Sequence, residues 1–198
     1  MNLQALKADL RRRALAARQR AHEAAPDAGE RLVRHFPFHR VKSGSVVSGY
    51  WPVPGEIDPL PLMRKLAARG ARLALPVVAG PGHPLVFRAW QDGDALEQRA
   101  FGLMEPPQGS AERIPDILLV PLLAVDDDGN RLGFGRGYYD RTLAGLRAAG
   151  GPLAIGLAYE AQRVAAVPVD AFDQPLDWLV TELRGQAIAD GMPRAPGP

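Results

Sequence analysis

Residues 116–125, DILLVPLLAV, set the strongest limit on what this chain can fold into. The run leaves no polar face for solvent, so it reads as a strand covered on both sides. Such a strand belongs inside a mainly parallel sheet with helices on both faces. Strands are expected at 45–51 (SVVSGYW), 72–78 (RLALPVV), 152–159 (PLAIGLAY) and 177–182 (DWLVTE). A further strand, PLVFRAW at 84–90, is expected in a smaller antiparallel element.

Helices fall between and before these strands. Residues 3–24 are rich in Ala, Leu and Arg, with Leu3, Leu6, Leu10 and Ala14 near helical spacing. AGERLVRHF after Pro26 and Asp27 forms a second helix. Asp58 and Pro59 are suited to start a third, which Gly70 closes. A fourth runs from Tyr138 to Ala149 and stops at Gly150 and Gly151. The expected class is therefore α/β, a three-layer α/β/α single domain over residues 1–189. The Pro/Gly-rich residues 190–198 form a tail expected to be disordered. In such sheets ligands bind beyond the carboxyl ends of the strands.

By that rule the segment just after the buried run is a candidate for ligand binding. Beyond the acidic turn DDDGN comes RLGFGRGYYD, residues 131–140, with glycines at 133, 135 and 137. Glycine at every second position is poor strand material, because it packs nothing and costs backbone entropy. A glycine loop opening a helix instead offers main-chain N–H groups and the positive end of a helix dipole, which suits an anion, above all phosphate. Gly133, Phe134, Gly135, Gly137, Tyr138 and Tyr139 are the candidate cradle, with Arg131 and Arg136 placed to add charge-assisted bonds. Asp140 would repel a phosphate directly. It fits if Mg²⁺ lies between carboxylate and phosphate oxygens. The spacing matches neither the common P-loop nor the dinucleotide-binding fingerprint; a tight turn with no ligand is the plainer alternative.

Composition removes several classes. The chain of 198 residues contains no cysteine, so disulfides, thiolate metal sites and cysteine nucleophiles are excluded. The N-terminus is polar and basic, and no long apolar run is present, so a cytoplasmic protein without membrane contact is expected. Net charge is only +2, yet residues 1–40 hold nine Lys/Arg against four Asp/Glu. With no aromatic side chain in residues 1–35 to stack on bases, that segment is not expected to bind nucleic acid. The histidines at 22, 35, 39 and 83 show no metal-binding spacing.

VPLLAVDDDGNRLGFGRGYYDRTL resembles the C-terminal motif of the 5-formyltetrahydrofolate cyclo-ligases. KADLR, GYWPVPGEID, FGLMEP and VPVDAFDQPLDWLVTE agree in order, so the resemblance covers residues 3–182. It implies that 5-formyltetrahydrofolate is cyclised to 5,10-methenyltetrahydrofolate with ATP as co-substrate and Mg²⁺. The proposed family chemistry phosphorylates the formyl oxygen before N10 attacks. Two small-molecule substrates acting on a monomer are expected.

The resemblance also assigns residues. Lys7 and Arg11 match a Lys-x-x-x-Arg that contacts ATP phosphates. Four apart on a helix, their Cβ atoms lie about 5–6 Å from each other on one face; a solvated basic face is the competing reading. Glu56 matches a folate-contacting glutamate, and Trp51 a substrate-contacting position. Phe101 is a second candidate wall for a flat ring. Asp177 matches a second carboxylate for Mg²⁺. Lys7, Glu56 and Arg136 are the expected catalytic residues. A non-catalytic nucleotide-binding relative of the same fold is the alternative.

Overall fold

The computed structural model describes residues 2–99 and 102–188. Two N-terminal helices, α1 (Leu3–Ala24) and α2 (Ala28–His35), precede the first strand. Then come β1 (Val46–Ser48), α3 (Leu60–Ala68), β2 (Arg72–Val78) and β3 (Leu85–Ala89). A short hairpin, β4 (Glu97–Gln98) with β5 (Met104–Glu105), leads to β6 (Ile117–Pro121). A second hairpin, β7 (Ala124–Val125) with β8 (Arg131–Leu132), leads to α4 (Tyr138–Arg147). The chain finishes with β9 (Leu153–Leu157), β10 (Trp178–Val180) and β11 (Gly185–Ala187).

The central sheet has seven strands in the order β11-β10-β9-β6-β1-β2-β3. The five inner strands are parallel, and the two outer ones, β3 and β11, run antiparallel to their neighbours. Alternation along the strands divides the core. Val47, Ile117, Leu119 and Ile155 pack with Leu32 of α2 and Leu62 and Leu66 of α3. Val46, Leu118, Val120 and Ala154 face the other way, toward Leu143 of α4. These are the three layers expected, because a strand buried on both faces alternates between two helical layers rather than between core and water.

Two expectations about strands need correction. The run at 116–125 is not one strand. It ends as β6 at Pro121, which has no N–H to continue the ladder, and resumes as β7 in a separate hairpin. PLVFRAW does pair antiparallel, but as the edge of the main sheet against β2 rather than in a smaller element. Asp58 starts α3 as expected, its Oδ1 accepting the Leu60 N–H at 2.8 Å. The tail at 190–198 lies outside the described residues.

Strand order reverses between β1 and β6, since β1 is followed in sequence by β2 on one side and in space by β6 on the other. The crevice beyond the carboxyl ends of those two strands is where open α/β sheets bind ligands. Two connections leave from it: residues 49–59 after β1, and the β7–β8 hairpin with its glycine loop after β6. Helix α1 lies over this end of the sheet, burying Leu10 and Ala14 against Leu123, Ala124 and Leu132. Among the described residues, no helix is long and apolar enough to cross a membrane.

Candidate active site

The hairpin that carries the glycine loop is set by Asp126. Its carboxylate is buried and accepts the N–H groups of Asp128, Asn130 and Val167 at 2.9–3.1 Å. The acidic turn therefore folds the loop, while the loop itself stays open. Phe134, Gly135 and Arg136 are exposed. Gly135 and Gly137 have φ of 90° and 64°, the left-handed region that glycine enters without steric cost. Among the described residues, the N–H groups of Gly133, Phe134, Gly135 and Gly137 have no hydrogen-bond acceptor. Gly137 caps α4, so these donors stand at its positive end. Tyr138 and Tyr139 form the first turn of that helix, and burial pushes the Tyr139 hydroxyl well above its ordinary pKa.

Helix α1 brings cations to this loop from one stripe. Its buried residues are Lys7, Leu10, Ala14 and Arg18, so charge stands at both ends of a short apolar seam. Arg11 Nε donates to the Gly133 carbonyl at 3.0 Å. A Cβ on Gly135 would come within 3.1 Å of the Arg11 guanidinium carbon. Gly135→Ala is thus expected to combine backbone strain of about 1 kcal/mol with displacement of Arg11. If the loop holds ATP, as the sequence resemblance implies, the KM for ATP should rise about tenfold, while the melting temperature falls by only about 2–4 °C. Steady-state kinetics and a melting curve check both halves.

Lys7 is not on a solvated face. Its ammonium is buried and bonded to Asp170 Oδ2 at 2.8 Å and Asp173 Oδ2 at 2.6 Å. Burial pulls its pKa down, but the two carboxylates outweigh this and hold it above the usual value. Arg131 is also buried, and burial lowers its pKa against the opposing pull of Asp140. Arg131 bonds Asp140 Oδ1 at 2.7 Å and also donates to the Gln174 carbonyl. The Gln174 N–H reaches the same Asp140 oxygen at 3.2 Å. Both bonds fall on Oδ1, so Oδ2 is the oxygen a cation can take.

Asp177 pairs with a different cation from Asp140. It bonds Arg147 at 3.0 Å and the Ala154 N–H at 2.7 Å, at the start of β9. Arg147 is seven residues after Asp140 on α4, about 10 Å along the axis. The two aspartates thus have different ion partners, Arg131 for Asp140 and Arg147 for Asp177, with Gln174 between them: its N–H is on Asp140, and its Oε1 accepts from Arg147 at 3.3 Å.

On the other side of the crevice, residues 52–56 and Asp58 line a cleft of about 400 Å³ with Gln19 and His22 of α1. Glu56 is the buried acid in its wall, only 8% exposed, whereas Asp58 is exposed. Burial raises its pKa, opposed by the Val53 N–H bonded to Oε2 at 3.1 Å and by Arg18. Arg18 Nη1 lies 3.5 Å from Glu56 Oε1, and its Nη2 donates to the Pro54 carbonyl at 3.2 Å. The His22 Nδ1 meets the Tyr159 hydroxyl at 3.0 Å, and that hydroxyl also donates to the Glu56 carbonyl at 3.4 Å. Trp51 stands just before the cleft-lining stretch, edge-on to Trp90 at 6.1 Å. Phe101 lies outside the described residues.

The glycine loop, Lys7, Arg11 and Arg18 are thus gathered at one end of the sheet with Glu56. Arg18, Gln19, His22 and Tyr159 were not singled out from sequence. A signal existed for two of them: Lys7, Arg11, Arg18 and His22 repeat at intervals of four, seven and four, which keeps them on one side of a helix.

Known proteins resemble the chain along nearly its whole length. A family model described as the 5-formyltetrahydrofolate cyclo-ligase family matches residues 3–182. The 5-formyltetrahydrofolate cyclo-ligase of Mycolicibacterium smegmatis is 35% identical over 187 residues, covering 90% of this chain and 95% of that protein. The enzyme of the same name from Escherichia coli K12 is 33% identical over 180 residues, with coverage of 86% and 94%. The NMR structure of Aquifex aeolicus 5,10-methenyltetrahydrofolate synthetase superposes with a TM-score of 0.76 at 32% identity, over 96% of each chain. The chain belongs to the 5-formyltetrahydrofolate cyclo-ligase family.

Proposed function

We propose that this protein uses ATP to close the formyl group of 5-formyltetrahydrofolate onto N10, releasing 5,10-methenyltetrahydrofolate, ADP and phosphate. The observation that carries this reading is the meeting of two unlike surfaces at the β1/β6 crevice. One is a glycine loop with open N–H donors beside Arg11; the other is a cleft whose wall holds a buried carboxylate, Glu56. The first suits a polyphosphate. The second suits the N–H groups of a pterin ring, to which a desolvated carboxylate offers two acceptor oxygens.

The reaction asks for positioning and charge neutralisation more than for a protein nucleophile. The γ-phosphoryl group moves to the formyl oxygen, and N10 then attacks the activated carbon. The N10 proton and the phosphate, now carrying the former formyl oxygen, depart. Arg11 and Arg136 act on phosphate charge, and the loop amides orient the chain of phosphates. Asp140, with Oδ1 held by Arg131, fits as a Mg²⁺ ligand through Oδ2, since Mg²⁺ commonly takes one or two carboxylates plus phosphate oxygens. Such an ion would neutralise phosphate charge. Trp51 and Phe101 remain the candidate apolar contacts to the folate ring.

The test is direct. Protein, 5-formyltetrahydrofolate, ATP and MgCl₂ are mixed and methenyl absorbance is followed, with ADP measured in parallel. Product and ADP should appear in equal amounts and stop when EDTA is added. Tight ATP binding without product would make the protein a non-catalytic relative.

A further inference from the structure

Between the nucleotide loop and the folate cleft stands one buried side chain that neither role uses. Arg18 is 4% exposed. Its guanidinium carbon lies 5.2 Å from the centre of the Phe134 ring, which belongs to the glycine loop. Its other contacts are with the loop after β1: Nη2 donates to the Pro54 carbonyl, and Nη1 approaches Glu56 Oε1. Gly55 lies against it at ordinary contact distance. That residue has φ of 83°, and a Cβ there would stand 3.6 Å from Arg18 Nε and Nη2 and 3.1 Å from Gln19 Oε1. One guanidinium therefore touches both loops.

Its bonding is incomplete. Among the described residues, Nε and Nη1 are buried without a hydrogen-bond partner. Buried donors left unpaired are costly, so any small shift that gives them an acceptor is favoured. At 3.5 Å, the Nη1–Oε1 gap is about 0.6–0.8 Å longer than a charge-assisted hydrogen bond. A ligand that draws the Glu56 loop inward closes that gap and presses the guanidinium against Phe134. A ligand that orders the glycine loop seats Phe134 on the guanidinium and presses it toward Glu56. Each event prepares the other.

We propose that Arg18 is a positioning residue that couples the two substrate sites, so that ATP and 5-formyltetrahydrofolate each raise the affinity for the other. This rests on the reading that the glycine loop holds ATP and the Glu56 cleft holds folate. Linkage requires the two enhancements to be equal.

The test is isothermal titration of the full chain with 5-formyltetrahydrofolate, alone and with a saturating non-hydrolysable ATP analogue plus Mg²⁺, and then in the reverse order. Wild-type protein should bind each ligand about tenfold more tightly in the presence of the other. The ratio should fall to about one in Arg18→Met and lie between in Arg18→Lys, which keeps charge but not the flat fork. Phe134→Leu changes an exposed ring, so it should melt like the wild type and still lose the coupling. It serves even if Arg18→Met fails to fold. Combining it with Arg18→Lys should cost no more coupling than the worse single change. A ratio of one in the wild type, or an undiminished ratio in Phe134→Leu, overturns the coupling while leaving the reaction intact. Wild-type protein that binds neither ligand and forms no product overturns the reaction itself, and the coupling with it.

Discussion

Glu56→Ala is expected to lower folate turnover on the order of a thousandfold while leaving ATP affinity within about a factor of three. The carboxylate is desolvated in the cleft wall, and on the proposed reading each hydrogen bond it accepts from a ring N–H would contribute about 1.5–3 kcal/mol because one partner is charged. Two such bonds correspond to roughly three powers of ten in kcat/KM. Glu56→Gln keeps one acceptor oxygen and the shape of the side chain, so its loss should be smaller, about ten- to a hundredfold. The glycine loop is built from β8 and α4 and does not rely on Glu56, hence the near-constant ATP affinity. Equal losses for both ligands would make Glu56 a prop for the fold rather than a folate contact.

The same group predicts opposite pH dependences for stability and turnover. Burial raises the Glu56 pKa from its ordinary 4.5. A carboxylate whose folded pKa is raised opposes folding when ionised. Its contribution to stability is fully present below the unfolded value and is lost as pH rises through the folded value. If Glu56 contacts the folate ring as proposed, binding uses the ionised form, so kcat/KM for folate should fall as pH drops through that same raised value. Glu56→Gln removes the titration, and its activity, though lower, should be flatter across mildly acid pH. A pH profile of kcat/KM beside melting curves on both proteins checks this.

Much of the architecture is legible in the sequence because local pattern and burial agree. The run before Pro121 is apolar on both sides because it alternates between α2/α3 and α4. The glycines are spaced as they are because the loop turns through left-handed backbone at 135 and 137 before entering α4. What was not legible depends on distant partners. PLVFRAW could pair in a small element or in the main sheet, and only β2 beside it decides. Asp140 and Asp177 look equivalent as carboxylates near a helix and a strand; Arg131 and Arg147 separate them. Arg18 reads as one of many arginines until Pro54 and Phe134, far away in sequence, are placed against it.

Lys7 provides the second large effect, because geometry gives it two duties. Lys7→Ala should lower the melting temperature by roughly 5–10 °C. Removing one member of a buried ion pair costs about 3–5 kcal/mol, but Asp170 and Asp173 retain 31% and 22% of their side-chain exposure, so the expectation drops to about 2–3 kcal/mol. For a domain of this size each kcal/mol is about 2–4 °C. The pH window is set by the pair. The hydrogen bond from Lys7 holds Asp170 below its ordinary 3.8, and the carboxylates hold Lys7 above 10.5. The contribution of Asp170 is present above the unfolded value and lost as pH falls through the folded one; that of Lys7 is lost as pH rises through its folded value. The gap between wild type and Lys7→Ala should therefore stay constant from about pH 5 to 9 and close in acid below 3.8. Anchoring the start of α1 also sets Arg11 against Gly133, so KM for ATP should rise about tenfold in Lys7→Ala. The contrasting variant is Asp170→Asn with Asp173→Asn. If the ammonium also reaches phosphate, this double change should melt earlier yet keep ATP affinity, because it frees the cation it had held. If instead ATP affinity falls in step with stability in both variants, Lys7 acts only by docking the helix. An unchanged melting point in Lys7→Ala would remove the docking role and leave the phosphate contact alone.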